Sequence, residues 1–248
     1  MTNALELNNL GVTFGGIRAV HDVSLVIKKG ERRAILGPNG AGKSSLFNLV
    51  AGEYQATSGS VKMFGEDVTQ RPIHLRSRMG LGRTYQTSAL FPSLTVLDHL
   101  YLAVRGCYAG RMSFARITRQ DQHRQTAIGL AEKVGLDGML SRTVADISHG
   151  EQRQLEVGLS LAGDPRLILL DEPAAGLSQG ERSRLVSLLA SLDQDLTILI
   201  IEHDMDVAME VADIITVMHD GTIIASGTPA EIAQNEEIHA LYLGKHHE

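Results

Sequence analysis

Apolar residues recur along this chain with two periods, and the change between them predicts a mixed α/β fold. They alternate in ALELNNLGVTF (residues 4–14) and form short strand patterns in VHDVSLVIKKGERRAILG (20–37) and GSVKMFGEDV (59–68). These stretches predict an antiparallel layer that leads into a buried strand over Arg33–Leu36. A helical pattern then runs from Gly42 to Ala51, directly after a glycine-rich turn.

The second half of the chain alternates between buried strands and helices. A mostly helical segment, 87–162, comes first and predicts an inserted helical subdomain within a single domain over 1–248 that ends in a C-terminal tail, 238–248. The later elements are a strand at 166–173, a helix near 180–192, a strand at 196–204, a helix at 205–212 and a strand at 214–221. This order predicts a parallel sheet with helices on both faces.

Composition narrows the class of protein. The chain has 248 residues, of which 43% are hydrophobic, which suits one globular unit with a substantial core. Its apolar runs are far shorter than the roughly 20 residues that span a bilayer. A start without a secretion signal and a single cysteine, Cys107, predict a cytoplasmic protein. The net charge of −6 argues against a nucleic-acid partner.

The sequence GPNGAGKSS follows a predicted strand and begins a predicted helix, the context of a phosphate-binding loop. Glycines let backbone N–H groups close around phosphates, while the lysine can reach the β and γ phosphates and the first serine can ligate Mg²⁺. An ordinary glycine turn is the alternative. The predicted nucleotide-binding residues here are Gly37, Asn39, Gly40, Ala41, Gly42, Lys43, Ser44 and Ser45.

The stretch LILLDEP places two adjacent carboxylates at the end of a buried strand. Next to a phosphate loop, Asp171 is expected to hold Mg²⁺ and Glu172 to polarise the water that attacks the γ phosphate. Two roles require two carboxylates. The alternative is an acidic pair that only caps the following turn.

Together with these motifs, ISHGEQRQLE (147–156) resembles the LSGGQ signature of ATP-binding cassette (ABC) proteins, and the resemblance covers essentially the whole chain. It implies that two ATPase subunits pack head to tail, with Ser148 and Gly150 of one contacting the γ phosphate bound by the other. His149 and Glu151 depart from the signature, which has Gly and Gln there. A plain helix cap is the alternative.

Further positions follow from the same resemblance. Gln86 looks like the glutamine that senses Mg²⁺ and the attacking water, or else it is a surface residue in a loop. His203 looks like the histidine that contacts the γ phosphate, with a structural histidine as the alternative. Phe14 resembles the aromatic that stacks on adenine, although burial in the core is an alternative. Ser178, in AAGLS, stands where the family's D-loop usually has an aspartate.

A cluster of arginines adds local positive charge to the helical segment. It is either a solvated face or a contact with a partner subunit or near the membrane surface. Its members are Arg105, Arg111, Arg116, Arg119 and Arg124.

The motifs GRTYQ, LTVLDHLYLAV, EPAAGL, IEHDM and LYLG together resemble the ATP-binding subunit of importers for branched-chain amino acids, urea and short amides. The resemblance implies ATP and Mg²⁺ as cofactors. The implied partners are a second ATPase subunit, identical or related, membrane permease subunits that hold the chain at the inner face of the cell membrane, and indirectly a solute-binding protein. One alternative is the ATPase of lipopolysaccharide export, which GTPAEI also resembles. Another is a soluble cassette ATPase of translation or DNA repair.

Overall fold

The protein's three-dimensional structure is a computed structural model that describes residues 3–85, 90–107, 121–236 and 238. The chain divides into two compact units. The first comprises Met1–Arg76 with Asp193–Glu248, and the second comprises Ser77–Leu192. Gln86, Arg111, Arg116, Arg119 and the tail from 239 onward lie outside the described residues.

The secondary structure follows the predicted alternation of strands and helices. The first unit contains β1 (Asn3–Phe14), β2 (Ile17–Lys28), β3 (Arg32–Leu36), α1 (Lys43–Ala51), β4 (Ser58–Met63), β5 (Glu66–Asp67), α2 (Ile73–Arg78, which ends in the second unit), β8 (Thr197–Ile201), α7 (Met205–Val211), β9 (Ile214–His219), β10 (Thr222–Gly227) and α8 (Pro229–Ala233). The second contains β6 (Leu81–Arg83), α3 (Val96–Cys107), α4 (Gln122–Lys133), α5 (His149–Ser160), β7 (Leu167–Asp171) and α6 (Gln179–Ser191), with 3₁₀ turns at Asp137–Met139 and Val144–Asp146.

The predicted antiparallel layer is present in the first unit. Its strands lie in the order β2-β1-β4-β5, and every pairing between them is antiparallel. The apolar residues of β1 that produced the sequence pattern are buried, among them Leu5, Leu7, Leu10 and Val12. The alternation changes phase between Leu7 and Leu10, where the pairing of β1 with β2 shifts register.

A second sheet segment of the first unit carries the glycine-rich loop. Strand β3 lies between β8 and β9 and pairs with both in parallel, and β10 adds to β9 in the antiparallel sense. Three consecutive residues of β3, Ala34, Ile35 and Leu36, have no exposed surface, as expected for a strand covered on both faces. The chain leaves β3 directly into the loop that precedes α1.

The second unit contains the predicted helical segment. Helix α3 packs against α4 and α5, and α5 packs against α6. The unit also contains the parallel pair of β6 and β7. β6 was not predicted, because three residues are too few for a periodic signal. The boundaries of the inserted subdomain at 87 and 162 stay a prediction. Within the part of the chain that the structure describes, no helix is long and apolar enough to cross a membrane.

Candidate functional site

The loop between β3 and α1 is shaped by a glycine that no other residue can replace without strain. Gly42 has φ +94°, a left-handed conformation, and a Cβ at this position would collide with the carbonyl oxygen of Ala19. The Ala41 N–H donates to the Pro38 carbonyl at 3.2 Å and tightens the turn. The backbone from 37 to 42 therefore curls back on itself before α1 begins.

Lys43 lies inside this curl. Its side chain is buried, and its ammonium group donates to the carbonyls of Gly37 at 2.6 Å and Pro38 at 3.1 Å. These bonds bring the positive charge to the concave side of the loop. The rim remains accessible to solvent, because Asn39, Gly40 and Ser44 are exposed and Ser45 is half-buried.

The N-terminus of α1 has no capping side chain. Its N-cap, Gly42, makes no side-chain hydrogen bond, and no acidic residue lies in the first turn. The first N–H groups of a helix have no partner within the helix and carry partial positive charge. A chain that leaves them without a capping side chain beside a buried lysine fits a phosphate group, so the predicted phosphate loop is consistent with the local geometry.

The opposite end of α1 is stabilised by a buried arginine. Arg76 has no exposed surface, and its Nη1 donates to the carbonyls of Leu49 and Val50, each at 2.7 Å. It also donates to the carbonyls of Arg71 at 2.8 Å and Thr69 at 3.1 Å. Burial lowers the pKa of Arg76 to about 10. A cation at the C-terminal carbonyls complements the helix dipole.

In the second unit, β7 ends at the predicted carboxylate pair. Asp171 is buried, its N–H donates to the Thr84 hydroxyl at 3.1 Å, and its carboxylate lies 4.0 Å from the Arg83 guanidinium. Glu172 is half-buried and has φ +46°. That conformation costs a residue with a side chain about 1–3 kcal/mol, and such strain concentrates at functional sites. Arg83 was missed because it lies on the unpredicted strand β6.

Helix α5 starts at the signature motif. Ser148 is the N-cap, and a reciprocal capping box joins it to Glu151. The Ser148 N–H donates to Glu151 Oε2 at 2.6 Å, and the Glu151 N–H donates to the Ser148 hydroxyl at 3.3 Å. Glu151, which departs from the family signature, therefore has a local structural role. Ser148 thus caps the helix, and the predicted contact with a γ phosphate stays a prediction.

A second carboxylate reaches the same helix end from α6. The Gly150 N–H donates to Glu181 Oε1 at 3.1 Å. Glu181 Oε2 accepts from the Ser178 N–H at 3.0 Å and from the Ser178 hydroxyl at 2.7 Å. These donors, the Ser178 hydroxyl first, lower the pKa of Glu181. Sequence reasoning missed Glu181, although Ser178 and Glu181 have the spacing of a helix-capping box.

The two remaining predicted residues lie at element ends of the first unit. His203 is exposed and follows β8 by two residues. Phe14, the last residue of β1, is 43% exposed, so it is not buried in the core. Its ring meets Tyr54 edge-on, with ring centroids 5.1 Å apart. Tyr54 was not predicted. It holds the Phe14 ring at one edge and leaves the aromatic pair accessible to solvent.

The predicted residues therefore divide between the units. The phosphate loop, Phe14 and His203 belong to the first unit, and Asp171, Glu172, Ser148 and Gly150 belong to the second. Gln86, expected to contact Mg²⁺ and the attacking water, is not among the described residues. Each unit contains a helix that begins at a predicted phosphate contact, α1 in the first unit and α5 in the second.

The sequence profile of the ABC transporter family matches residues 20–175, well over half of the chain. The chain belongs to the ABC transporter family. This ABC ATPase is 35% identical over 249 residues to BraF of Pseudomonas aeruginosa, a high-affinity branched-chain amino acid transport ATP-binding protein, with 97% of this chain and 98% of BraF covered. It is 33% identical over 244 residues to LptB of Escherichia coli K12, the ATP-binding protein of the lipopolysaccharide export system, with 97% of each covered.

A solved structure resembles the fold along the full length. The ADP conformation of MJ1267, an ATP-binding cassette of an ABC transporter, superposes with a TM-score of 0.87 at 28% identity, covering 99% of this chain and 100% of MJ1267. The prediction of an ABC ATPase with a P-loop core and an antiparallel subdomain is thus confirmed. The chain is an ATPase that binds adenine nucleotide.

Proposed function

We propose that this ABC ATPase energises a membrane importer for branched-chain amino acids or a related small polar solute such as urea or an amide. The observation that supports this class of transported solute is the similarity to BraF over nearly the whole of both chains. The motifs GRTYQ, EPAAGL and IEHDM support the same class. The chain lies at the inner face of the cell membrane, where permease subunits hold it, and a solute-binding protein delivers the solute to them.

ATP binds first to the phosphate loop. The N–H groups around Gly40 and at the start of α1 enclose the β and γ phosphates, and Lys43 neutralises their charge. The α1 N-terminus without a capping side chain supports this assignment, because no carboxylate of its first turn opposes the phosphates. Phe14 stacks on adenine, and Tyr54 supports its ring from the edge.

Hydrolysis then uses the carboxylate pair. Glu172 orients and polarises the attacking water, and His203 contacts the γ phosphate. By the family resemblance, Ser44, Asp171 and Gln86 would hold Mg²⁺, which would supply positive charge to the phosphates. The half-buried Arg83, whose guanidinium lies 4.0 Å from the Asp171 carboxylate, provides an opposite charge beside it.

The second half of the site comes from another ATPase subunit, either an identical copy or a related chain. Ser148 and Gly150 of one subunit contact the γ phosphate held by the other. ATP therefore stabilises the closed dimer, and hydrolysis through Glu172 reopens it. The helical segment transmits this motion to the permease, and the permease and the binding protein determine which solute is carried.

The ATPase of a lipopolysaccharide-type exporter is the second candidate, favoured by the 33% identity to LptB. Co-purification separates the two. An importer ATPase should bind detergent-solubilised permease subunits, and in that complex its own ATP hydrolysis should rise with a solute-loaded binding protein. Leucine, urea and acetamide, each with its own binding protein, identify the solute. Association with ribosomes or stimulation by DNA would instead favour a soluble cassette.

The cross-subunit site is tested with Glu172→Gln, which preserves ATP binding and blocks hydrolysis. Light scattering after size exclusion gives the mass with and without ATP and Mg²⁺. We expect a monomer that becomes a dimer only with ATP, and we expect Ser148→Arg to abolish the dimer. If Glu172→Gln binds ATP and stays monomeric, the homodimer is wrong, and a related subunit must be added to form the site.

A further inference from the structure

The N-terminus of α5 is already engaged by two carboxylates of its own chain. Glu151 Oε2 accepts the Ser148 N–H, and Glu181 Oε1 accepts the Gly150 N–H. The first belongs to the local capping box of α5. The second comes from α6, 31 residues further along the chain. Gly150 is buried against it, because a Cβ at this position would lie 2.8 Å from Glu181 Cγ.

Glu181 divides its two oxygens between two helices. Oε2 accepts both bonds from Ser178 at the start of α6, and Oε1 accepts the bond from Gly150. The contact with Gly150 can therefore break while the cap of α6 stays intact. An exposed side chain at the start of α5, His149, adds a second link, since its ring lies against Gly176 in the segment before α6.

The Gly150 N–H is also one of the groups assigned above to the γ phosphate of the partner's ATP. Carboxylate and phosphate oxygens compete for the same N–H donors at a helix N-terminus. Two anions close together repel each other strongly where water is excluded. The phosphate and the Glu181 oxygen therefore do not occupy the Gly150 N–H at the same time.

We propose that the Glu181 carboxylate holds the place of the γ phosphate at Gly150 in the ATP-free protein and leaves it when the partner's ATP arrives. This inference rests on the proposed cross-subunit contact of Ser148 and Gly150. Glu181 is a positioning residue. Its contact stabilises the ATP-free state alone, so it raises the ATP concentration needed for dimerisation. Its release also removes one of the two links described between the start of α5 and the start of α6.

The test compares Glu181→Gln and Glu181→Ala with matched changes at Glu231, all in the Glu172→Gln background. Glu231 has the same role at the start of α8, where it accepts from the Thr228 N–H at 2.7 Å and the Thr228 hydroxyl at 3.0 Å. A glutamine keeps such a cap through its oxygen, and its NH₂ group then faces the Gly150 N–H donor to donor. Alanine removes both contacts.

Two quantities are measured. Hydrogen exchange of the Gly150 amide in the ATP-free protein reports the contact itself, and light scattering against ATP concentration gives the midpoint of dimerisation. We expect the Glu181 variants to speed exchange at Gly150 and to lower the ATP midpoint by about 3- to 10-fold. The Glu231 variants should change neither. A Glu181 variant that only lost packing contacts would not lower the ATP midpoint.

The outcomes separate this inference from the proposed function. Slow exchange at Gly150 in Glu181→Ala overturns the inference whatever the dimer does. A raised ATP midpoint in the Glu181 variants also overturns it, because Glu181 would then support the ATP-bound form. If the parent fails to dimerise while Glu181→Ala speeds exchange, the contact stands and the homodimer of the proposed function fails.

Discussion

Helices α1 and α5 both begin at a predicted phosphate contact, yet their N-termini are built in opposite ways. The N-cap of α1, Gly42, makes no side-chain bond, and its first turn has no acid. Helix α5 begins with Ser148 and Glu151 in a capping box and receives Glu181 as well. The N3 position holds Ser45 in α1 and a glutamate in α5.

The difference corresponds to two modes of anion binding. In the proposed mechanism, the start of α1 is open to phosphate at all times, because its first turn has no carboxylate that must leave before ATP binds. In our inference, Glu181 occupies the start of α5 until the partner's nucleotide displaces it. A permanent site favours tight nucleotide binding, whereas an occupied site makes assembly depend on ATP concentration.

Helix α1 has no capping side chain at its N-terminus, but its C-terminus is stabilised by a buried arginine. Arg76 donates to the carbonyls of Leu49 and Val50 in its last turn. A cation there interacts favourably with the helix dipole without blocking the nucleotide. The stability of α1 is thus supplied away from its functional end.

Removing Arg76 should give the largest effect. In Arg76→Met the four carbonyls that it serves lose its hydrogen bonds, although Leu49 keeps one from the Gly52 N–H at 3.3 Å, so we expect the free energy of unfolding to fall by about 2–4 kcal/mol. Urea unfolding followed by circular dichroism measures it. Lys29→Met, which breaks only an exposed ion pair to Asp195 of 3.4 Å, should cost less than about 1 kcal/mol. Equal losses would mean that Arg76 does not stabilise α1.

Giving α1 the carboxylate that α5 has should abolish the difference between them. In Ser45→Glu the new side chain stands at N3 and can cap the helix, so it competes with the phosphates. We expect ATP affinity to fall by about 10- to 100-fold. Fluorescence of a labelled ATP analogue measures the affinity. Ser45→Gln, equal in size and neutral, should lose far less, and a similar loss in both would point to steric exclusion instead.

The smallest expected effect concerns the ionisation of Glu181. Hydrogen bonds from Ser178 and Gly150 lower its pKa below the ordinary value of 4.5. Since the charged form makes these bonds, they persist above that value and disappear as the pH falls through the lowered pKa. The contact should therefore not titrate between about pH 6 and 8.

Carboxyl carbon NMR tests this expectation directly. Ser178→Ala removes the hydroxyl that contributes most to the shift, so the titration midpoint of Glu181 should rise towards the ordinary value. The matched change Thr228→Ala should leave Glu181 unaffected and move only Glu231. A Glu181 midpoint that is the same with and without the Ser178 hydroxyl would contradict the bonding described for α6.

Local patterns were enough to predict most of the elements. The predicted bounds of the strand, loop and helix around Lys43 lie within two residues of the observed ones. The same holds for the strand that ends at Asp171. Both depend on spacing within a few residues, which sequence displays directly. Strand β6, with Arg83, was missed because a short strand has no period and is recognised only through its pairing with β7.

The sequence by itself determined the class of site, a nucleotide-binding site. The glycine turn with its lysine and the strand-end acidic pair are each recognisable from a few consecutive residues. The tertiary structure alone decided which distant side chains reach the two helix ends. Arg76 reaches α1 across 26 and 27 residues, and Glu181 reaches α5 across 31. Such contacts depend on how helices pack, and packing brings together residues whose separation along the chain follows no local period.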